Sequence, residues 1–206
     1  MAALAMSFVD TVEPGVRPAP RGAAQRVVET LTRGFAADPP TRWLFPDPQQ
    51  YHRYFPRFVA AFGGGAIARG TAFVSGDYAG AALWLPPGTA PDEAALDALL
   101  EESVADREKA DAFAVFAAMA RHHPDRPHWY LPLIGVEPAS QGLGHGSALM
   151  AHALRRCDRD RLPAYLEATS RRSIPFYERH GFEVVGKVRI GRCPPIFPML
   201  RAAADG

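Results

Sequence analysis

The chain is expected to fold as an α/β protein with a central β-sheet flanked by helices, and three observations carry this. An apolar run, Leu131 to Val136, leads into a glycine-rich turn. Ala148, Leu149, Ala151, His152 and Leu154 then follow at helical spacing, so the order reads strand, turn, helix. Thr71–Ser75 and Ala79–Leu85 flank Gly76-Asp77-Tyr78, a hairpin pattern. Long stretches of the N-terminal half repeat apolar residues at the helical period.

In chain order, residues 1–20 hold Pro14, Pro18 and Pro20 and read as an N-terminal arm with at most a short strand. Gln25 to Ala37 places Val27, Val28, Leu31 and Phe35 on one helical face, and Asp38-Pro39-Pro40 is expected to end that helix. Thr41 to Asp47 reads as an aromatic loop with Trp43 and Phe45. Gln49 to Phe62 is a second helix, stopped by Gly63-Gly64-Gly65. The hairpin follows and is closed by Pro86-Pro87-Gly88. Pro91 to Ala120 reads as two helices broken near Asp106, and His122 to Pro127 as a loop.

His128 to Val136 is a long strand with Pro132 inside it. A proline cannot donate to a ladder, so an edge or a bulge is expected there. Strand alternation puts His128, Tyr130 and Val136 on one face. After the glycine-turn helix come a strand at 163–168, a helix at 173–179 with Pro175 in its first turn and Gly181 as its stop, and strands at about 182–190 and 196–201. Without repeats, low complexity or a linker, residues 1–206 read as a single domain.

Composition excludes several classes. A net charge of +1 argues against nucleic acid or a membrane surface as the main partner. Arg155, Arg156, Arg159 and Arg161 form a local basic cluster, read either as a solvated helix end or as a contact with an anionic cofactor. The two cysteines, Cys157 and Cys193, imply neither a zinc site nor a disulfide framework, which suits a reducing cytoplasm. No apolar run approaches the ~20 residues of a membrane span. Met1 to Met6 lacks the basic start of a signal peptide. The histidines show no metal-ligand spacing, and no metal is expected.

The glycine turn carries the chemistry. Gly142, Gly144 and Gly146 keep side chains away from a ligand that approaches the main chain. The unpartnered amides and the dipole at the following helix start suit a diphosphate. A dinucleotide fingerprint needs its third glycine one residue later than Gly146. Gly181 to Lys187 comes near a nucleotide P-loop, but Val188 stands where a hydroxyl residue is required. What remains is Gln141-Gly142-Leu143-Gly144-His145-Gly146-Ser147-Ala148 behind Ile134-Gly135-Val136. A second motif follows, Leu166-Glu167 and then Ile174-Pro175-Phe176-Tyr177-Glu178-Arg179-His180-Gly181-Phe182. Together these resemble the GNAT N-acetyltransferases. With His128-Trp129-Tyr130-Leu131 and Pro138, they resemble the puromycin N-acetyltransferase-like subgroup. The strong part covers residues 128–186.

The resemblance implies a mixed, mostly antiparallel, twisted sheet, splayed at the strand before the glycine loop, and acetyl-CoA as co-substrate. It implies direct transfer of the acetyl group to a primary amine of a small molecule. Ile134, Gly135 and Val136 would pair through their backbone with the pantetheine arm. Gln141, Gly142, Leu143, Gly144, His145, Gly146 and Ser147 would hold the diphosphate. Ser170 stands where many relatives have a cofactor-contacting asparagine. Tyr177 is the expected acid for the departing sulfur, and also a cofactor contact. The base is Glu167, His128 or a water. Trp43 and Tyr130 are the expected acceptor contacts. An aromatic set of Trp43, Phe45, Tyr51, Tyr54, Phe58 and Trp84 reads mainly as core. Oligomeric state is left open, a homodimer included. Two other readings stand beside this one: a non-catalytic acetyl-CoA sensor, and an NAD-dependent oxidoreductase in which Glu167 would serve the ribose.

Overall fold

The computed structural model describes residues 14–204, so most of the expected N-terminal arm lies outside the described residues. One seven-stranded sheet runs in the order β1-β2-β3-β4-β5-β7-β6. Its strands are β1 (Val16–Pro18), β2 (Ala72–Ser75), β3 (Gly80–Leu85), β4 (Trp129–Val136), β5 (Ala164–Ala168), β6 (Glu183–Val184) and β7 (Phe197–Arg201). Every neighbouring pair is antiparallel except β4 and β5, which are parallel. The sheet is therefore mixed and mostly antiparallel, as expected.

The helices are α1 (Ala24–Gly34), α2 (Pro39–Leu44), α3 (Pro48–Gly63), α4 (Gly65–Ala68), α5 (Glu93–Ser103), α6 (Asp106–Ala120), α7 (His145–Asp160) and α8 (Ile174–Glu178). One face of the sheet is covered by α1, α3, α5 and α6, with Val27, Leu31, Phe55, Val59, Leu99 and Val115 in that core. The other face is covered by α7 and α8 around Leu149, Met150, Leu154 and Leu166. Alternation on β5 sends Tyr165 to the first core and Leu166 and Ala168 to the second. No helix among the described residues is long and apolar enough to cross a membrane.

Three expectations are corrected. Asp38-Pro39-Pro40 does not merely end α1. Asp38 accepts a hydrogen bond from the Thr41 amide at 3.1 Å, and the two prolines open α2. Prolines are tolerated in a first turn, where the amides lack partners anyway. Trp43 thus stands on a helix, not in a loop. The expected strand over 182–190 shrinks to Glu183–Val184, because the chain then leaves the sheet to follow α6. Gly186 lies against the His122 ring, Arg192 pairs with Glu108, and a single bridge joins Val188 to Ile196.

The third correction concerns β4. Leu133 is opposite Leu83 while Tyr130 is opposite Leu85, so Leu131 and Pro132 together face one residue of β3. This is a bulge at the proline. The extra residue flips the alternation beyond it. Tyr130 and Leu133 face the first core, while Ile134 packs in the second and Val136 reaches toward Gly146 and α7. Tyr130 and Val136 therefore lie on opposite faces.

Helix α1 packs close to β4 beyond the bulge. A Cβ on Gly34 would sit 3.1 Å from both Gly135 Cα and Val136 N. Gly34→Ala gains helix propensity of up to ~1 kcal/mol but pushes a methyl against backbone pinned by the β3–β4 ladder, an overpacking cost of ~1–3 kcal/mol. The variant is expected to unfold at lower urea than the parent. Equal or greater stability would mean that α1 and β4 separate freely.

Burial also sets a pH dependence. His152 packs on Phe73 and His180 on Phe176, with ring centroids 4.8 and 5.1 Å apart. Burial first, then nearby arginines, lowers the pKa of both. The folded chain thus binds fewer protons than the unfolded chain, whose histidines titrate near ~6.5. Stability present above that value is lost as pH falls through it. The melting temperature should drop between about pH 7.5 and about 5.5, and replacing both histidines with glutamine should flatten that slope.

Candidate functional site

The glycine turn sits at the start of α7. Gly142 and Gly144 have φ of 79° and 86°, the left-handed region where other residues are strained. Gly146 is helical, and a Cβ there would only touch the Phe176 ring at 3.4 Å, so the turn itself requires the first two glycines and not the third. The first helical hydrogen bond runs from the Ala148 amide to the Gly144 carbonyl at 3.0 Å. The amides of His145, Gly146 and Ser147 therefore have no partner within the helix and face outward with the positive end of its dipole. The Gln141 side chain donates to the Val136 carbonyl at 3.2 Å, which ties the turn to the end of β4. His145 turns its ring away, with Nδ1 2.7 Å from Ser75 Oγ, and leaves only its backbone at the turn. Leu143 is 64% exposed.

The arginine cluster lies elsewhere. Arg155, Arg156, Arg159 and Arg161 occupy the other end of α7, about 15–25 Å along the axis from Gly144. Arg156 lies over the Trp129 ring and Arg155 reaches His152. The cluster is a helix end and not part of the glycine turn.

Beside the turn the sheet opens. Pairing of β4 with β5 is confined to Trp129, Tyr130 and Leu131. From Pro132 to Val136, the edge of β4 that faces β5 has no strand partner, so Ile134, Gly135 and Val136 present main-chain groups to the gap. A backbone edge of this kind accepts an extended, amide-bearing chain.

Glu167 stands on β5 near this opening, with its side chain only 4% exposed. Tyr130 donates its hydroxyl to Glu167 Oε2 at 2.9 Å. Burial first, then the Glu167 charge, pushes the Tyr130 phenol well above its ordinary range, so it keeps the proton it donates. Tyr130 thus positions the carboxylate as well as lining the cavity beside it. Glu167 Oε1 has no hydrogen-bond partner. Around the carboxylate stand His123 Nε2, 3.4 Å from Oε1, and the Tyr165 phenol, which burial first and then the Glu167 charge push well above the ordinary tyrosine range.

His123 did not figure in the sequence reading, since it lies in a loop with no motif around it. Its protonation follows from a chain of contacts. His128 Nδ1 is 2.8 Å from the Arg126 carbonyl, which can only accept, so His128 Nδ1 carries a proton. Burial lowers the His128 pKa, so the ring is neutral at neutral pH and its Nε2 accepts. His123 Nδ1, 3.2 Å from that atom, must then donate. With Nδ1 so engaged, His123 presents Nε2 to Glu167 Oε1.

Two cavities meet at Glu167. The larger, about 860 Å³, lies between α5, α6 and the 121–128 loop and includes Phe62, Phe116, His123 and Tyr130 in its wall. The smaller, about 60 Å³, includes Trp43, Asp38, Thr169, Pro132 and Leu133. Glu167 lines both, so it separates the large cavity from the place where β4 leaves β5. Trp43 is half-buried there, and its indole N–H has no partner. The other aromatics singled out above are core: Phe45, Tyr51, Tyr54 and Phe58 are buried on the α3 side and Trp84 on the opposite face.

Asp38 is a second residue whose place the sequence did not reveal. Its carboxylate accepts from the hydroxyls of Thr41, at 2.8 Å, and Thr169 just beyond β5, and so joins α2 to the end of that strand. Burial raises its pKa against the pull of those hydrogen bonds. Tyr177 lies on α8 between Phe176 and Phe182. Burial first, then the Asp38 charge, lifts its phenol well above the ordinary tyrosine value. Ser170 is engaged locally: its Oγ accepts from the Ser173 amide at 3.3 Å and shapes the turn into α8.

Comparison with known proteins agrees with this layout. Residues 28–182 match the acetyltransferase (GNAT) family. An uncharacterized N-acetyltransferase of Schizosaccharomyces pombe is 27% identical over 172 residues, which is 77% of this chain and 70% of that protein. A solved structure from Corynebacterium glutamicum, described as histone acetyltransferase HPA2 and related acetyltransferase, is 27% identical with a TM-score of 0.68, covering 95% of this chain and 99% of that one. Arylalkylamine N-acetyltransferase 2 from Aedes aegypti shares the fold at 15% identity and a TM-score of 0.64, over 91% of this chain and 98% of its own. These matches leave the oxidoreductase and sensor readings without support. With its glycine turn, parted strands and buried carboxylate, the chain belongs to the acetyltransferase (GNAT) family and is an N-acetyltransferase.

Proposed function

We propose that this chain transfers the acetyl group of acetyl-CoA to a primary amine of a small molecule, by direct attack with both substrates bound. The observation that carries the proposal is Glu167, a buried carboxylate with a free oxygen between the large cavity and the parting of β4 from β5. A cavity of about 860 Å³ falls in the range that encloses small molecules. In this reading the whole chain is one acetyltransferase unit, since its N-terminal helices and its glycine-turn segment cover opposite faces of one sheet.

The amides of His145, Gly146 and Ser147 fit the diphosphate of the cofactor, and the free edge of Ile134 to Val136 fits its amide-bearing arm. The bound cofactor supplies an acetyl thioester. An alkyl amine is mostly protonated at neutral pH, with a pKa near ~10. The Glu167–His123 pair takes that proton, and the free amine nitrogen then bonds to the acetyl carbon. A main-chain amide of β4 stabilises the oxygen as the carbon–sulfur bond breaks. Tyr177 gives its proton to the leaving sulfur and recovers one from the nitrogen, so the new amide is neutral and the thiol is released. Trp43 lines the approach to that nitrogen. Ser170 shapes the turn that carries Tyr177. The motifs resemble the puromycin N-acetyltransferase-like subgroup, which makes puromycin one of the amines to test.

Thiol release under steady-state conditions tests these roles. Tyr177→Phe should lower kcat about 10²-fold with the KM for acetyl-CoA within about threefold of the parent. Because the Tyr177 phenol is raised, the parent should show no alkaline loss of activity below about pH 10. Glu167→Gln should lower kcat/KM for the amine most at neutral pH. That defect should shrink as pH rises toward about 9.5, where more amine arrives already deprotonated. A defect of constant size across that range would remove Glu167 as the proton acceptor.

A further inference from the structure

We propose that the large cavity selects an amine acceptor with a second cationic group on an apolar body, its reacting amine at Glu167 and its second cation at a carboxylate rim. This rests on the acceptor-site reading above and names the substrate class of that site.

The wall of the cavity is apolar, with Phe62, Leu96, Phe113 and Phe116 among its residues. Its charged residues are Glu93, Asp97, Asp125 and Glu167 against the single guanidinium of Arg126. His123 and His128 complete the titratable lining, and the contacts above keep His128 neutral. Glu93, Asp97 and Asp125 form no ion pair among the described residues. Elsewhere on α5 and α6, Glu101 and Asp106 pair with Lys109, Glu102 with Arg57 and Glu108 with Arg192, while Asp111 lies against Gly191. The cavity lining thus carries an excess of carboxylates over cations. A second, independent observation points the same way. Glu167 is 4% exposed, lines the cavity, and has an oxygen without a hydrogen-bond partner. A buried acceptor of that kind in a cavity wall is placed to receive a donor from a ligand.

Aromatic walls lower the local dielectric and carboxylates of one sign focus the field, so a cation gains and an anion loses inside the cavity. An apolar spacer fills the space between Glu167 and the rim. A monoamine leaves the rim carboxylates unpaired, and an amine bearing a carboxylate is repelled by them.

Three benzylic amines with one ring test this: p-xylylenediamine, its kcat/KM taken per amine group, 4-methylbenzylamine and 4-(aminomethyl)benzoic acid. They differ in the para substituent, an ammoniomethyl, a methyl or a carboxylate. Thiol release from acetyl-CoA should give kcat/KM in that order, with about a tenfold step between neighbours at low salt and smaller steps at high salt. Asp97 and Asp125 are exposed, so their replacement spares the core. The double variant Asp97→Asn with Asp125→Asn should narrow the advantage of the diamine over the methyl analogue at least about threefold. Equal kcat/KM for all three amines, or a preference for the carboxylate, would overturn the charge selection while leaving the acceptor site standing. No transfer to any of them would overturn the acceptor-site reading and this inference with it.

Discussion

Pro132 has no amide hydrogen to give to a neighbouring strand, and the architecture of the site follows from that lack. The proline sits where β4 carries one residue more than β3. The bulge re-aims every side chain beyond it and coincides with the end of pairing between β4 and β5 at Leu131. With pairing ended, the strand offers a free backbone edge, and the two strand ends diverge around a gap. Gln141 then fastens the glycine turn to the same strand end, so the turn and the free edge adjoin one another. Gly34 and Gly135 let α1 lie directly on that strand and hold it against one face of the sheet.

The second constraint is electrostatic. A carboxylate buried as deeply as Glu167 is costly unless its oxygens are satisfied. Tyr130 satisfies one oxygen and is kept protonated by the same burial and charge. The other oxygen faces His123, whose tautomer is fixed from behind by His128 and the Arg126 carbonyl. Glu167 and His123 therefore adjoin one another inside the cavity wall. Asp38 acts on the other side of the gap. It joins α2 to the end of β5 through Thr169, and its charge adds to burial in keeping Tyr177 protonated. Glu167 and Tyr177 thus stand in separate environments near one opening.

Much of this was legible in the residues. The proline within an apolar run announced the bulge, and the glycine spacing before a helical pattern announced the turn into α7. Gly142 and Gly144 are needed for their backbone angles, as that reading requires. Gly146 is not, because the helix has already begun there. Alternation failed at Val136 because a pattern of period two cannot register an inserted residue. The prolines after Asp38 were read as a stop when they open a short helix, since a proline suits both the end of one helix and the first turn of the next. His123 and Asp38 carry no local signal. Their roles arise from contacts with Glu167 and Thr169 that are remote in sequence, and only the folded chain brings them together.

The most direct measurement is a crystal structure with a bisubstrate analogue, in which coenzyme A is joined through an acetyl spacer to p-xylylenediamine. The account predicts the diphosphate at the amides of His145 to Ser147 and the arm along Ile134 to Val136. It predicts the spacer carbonyl in the gap beyond Pro132, the linking nitrogen within hydrogen-bond reach of Glu167, and the far ammonium beside Asp97 or Asp125. A linking nitrogen on the α7 side of the sheet, away from Glu167, would contradict it.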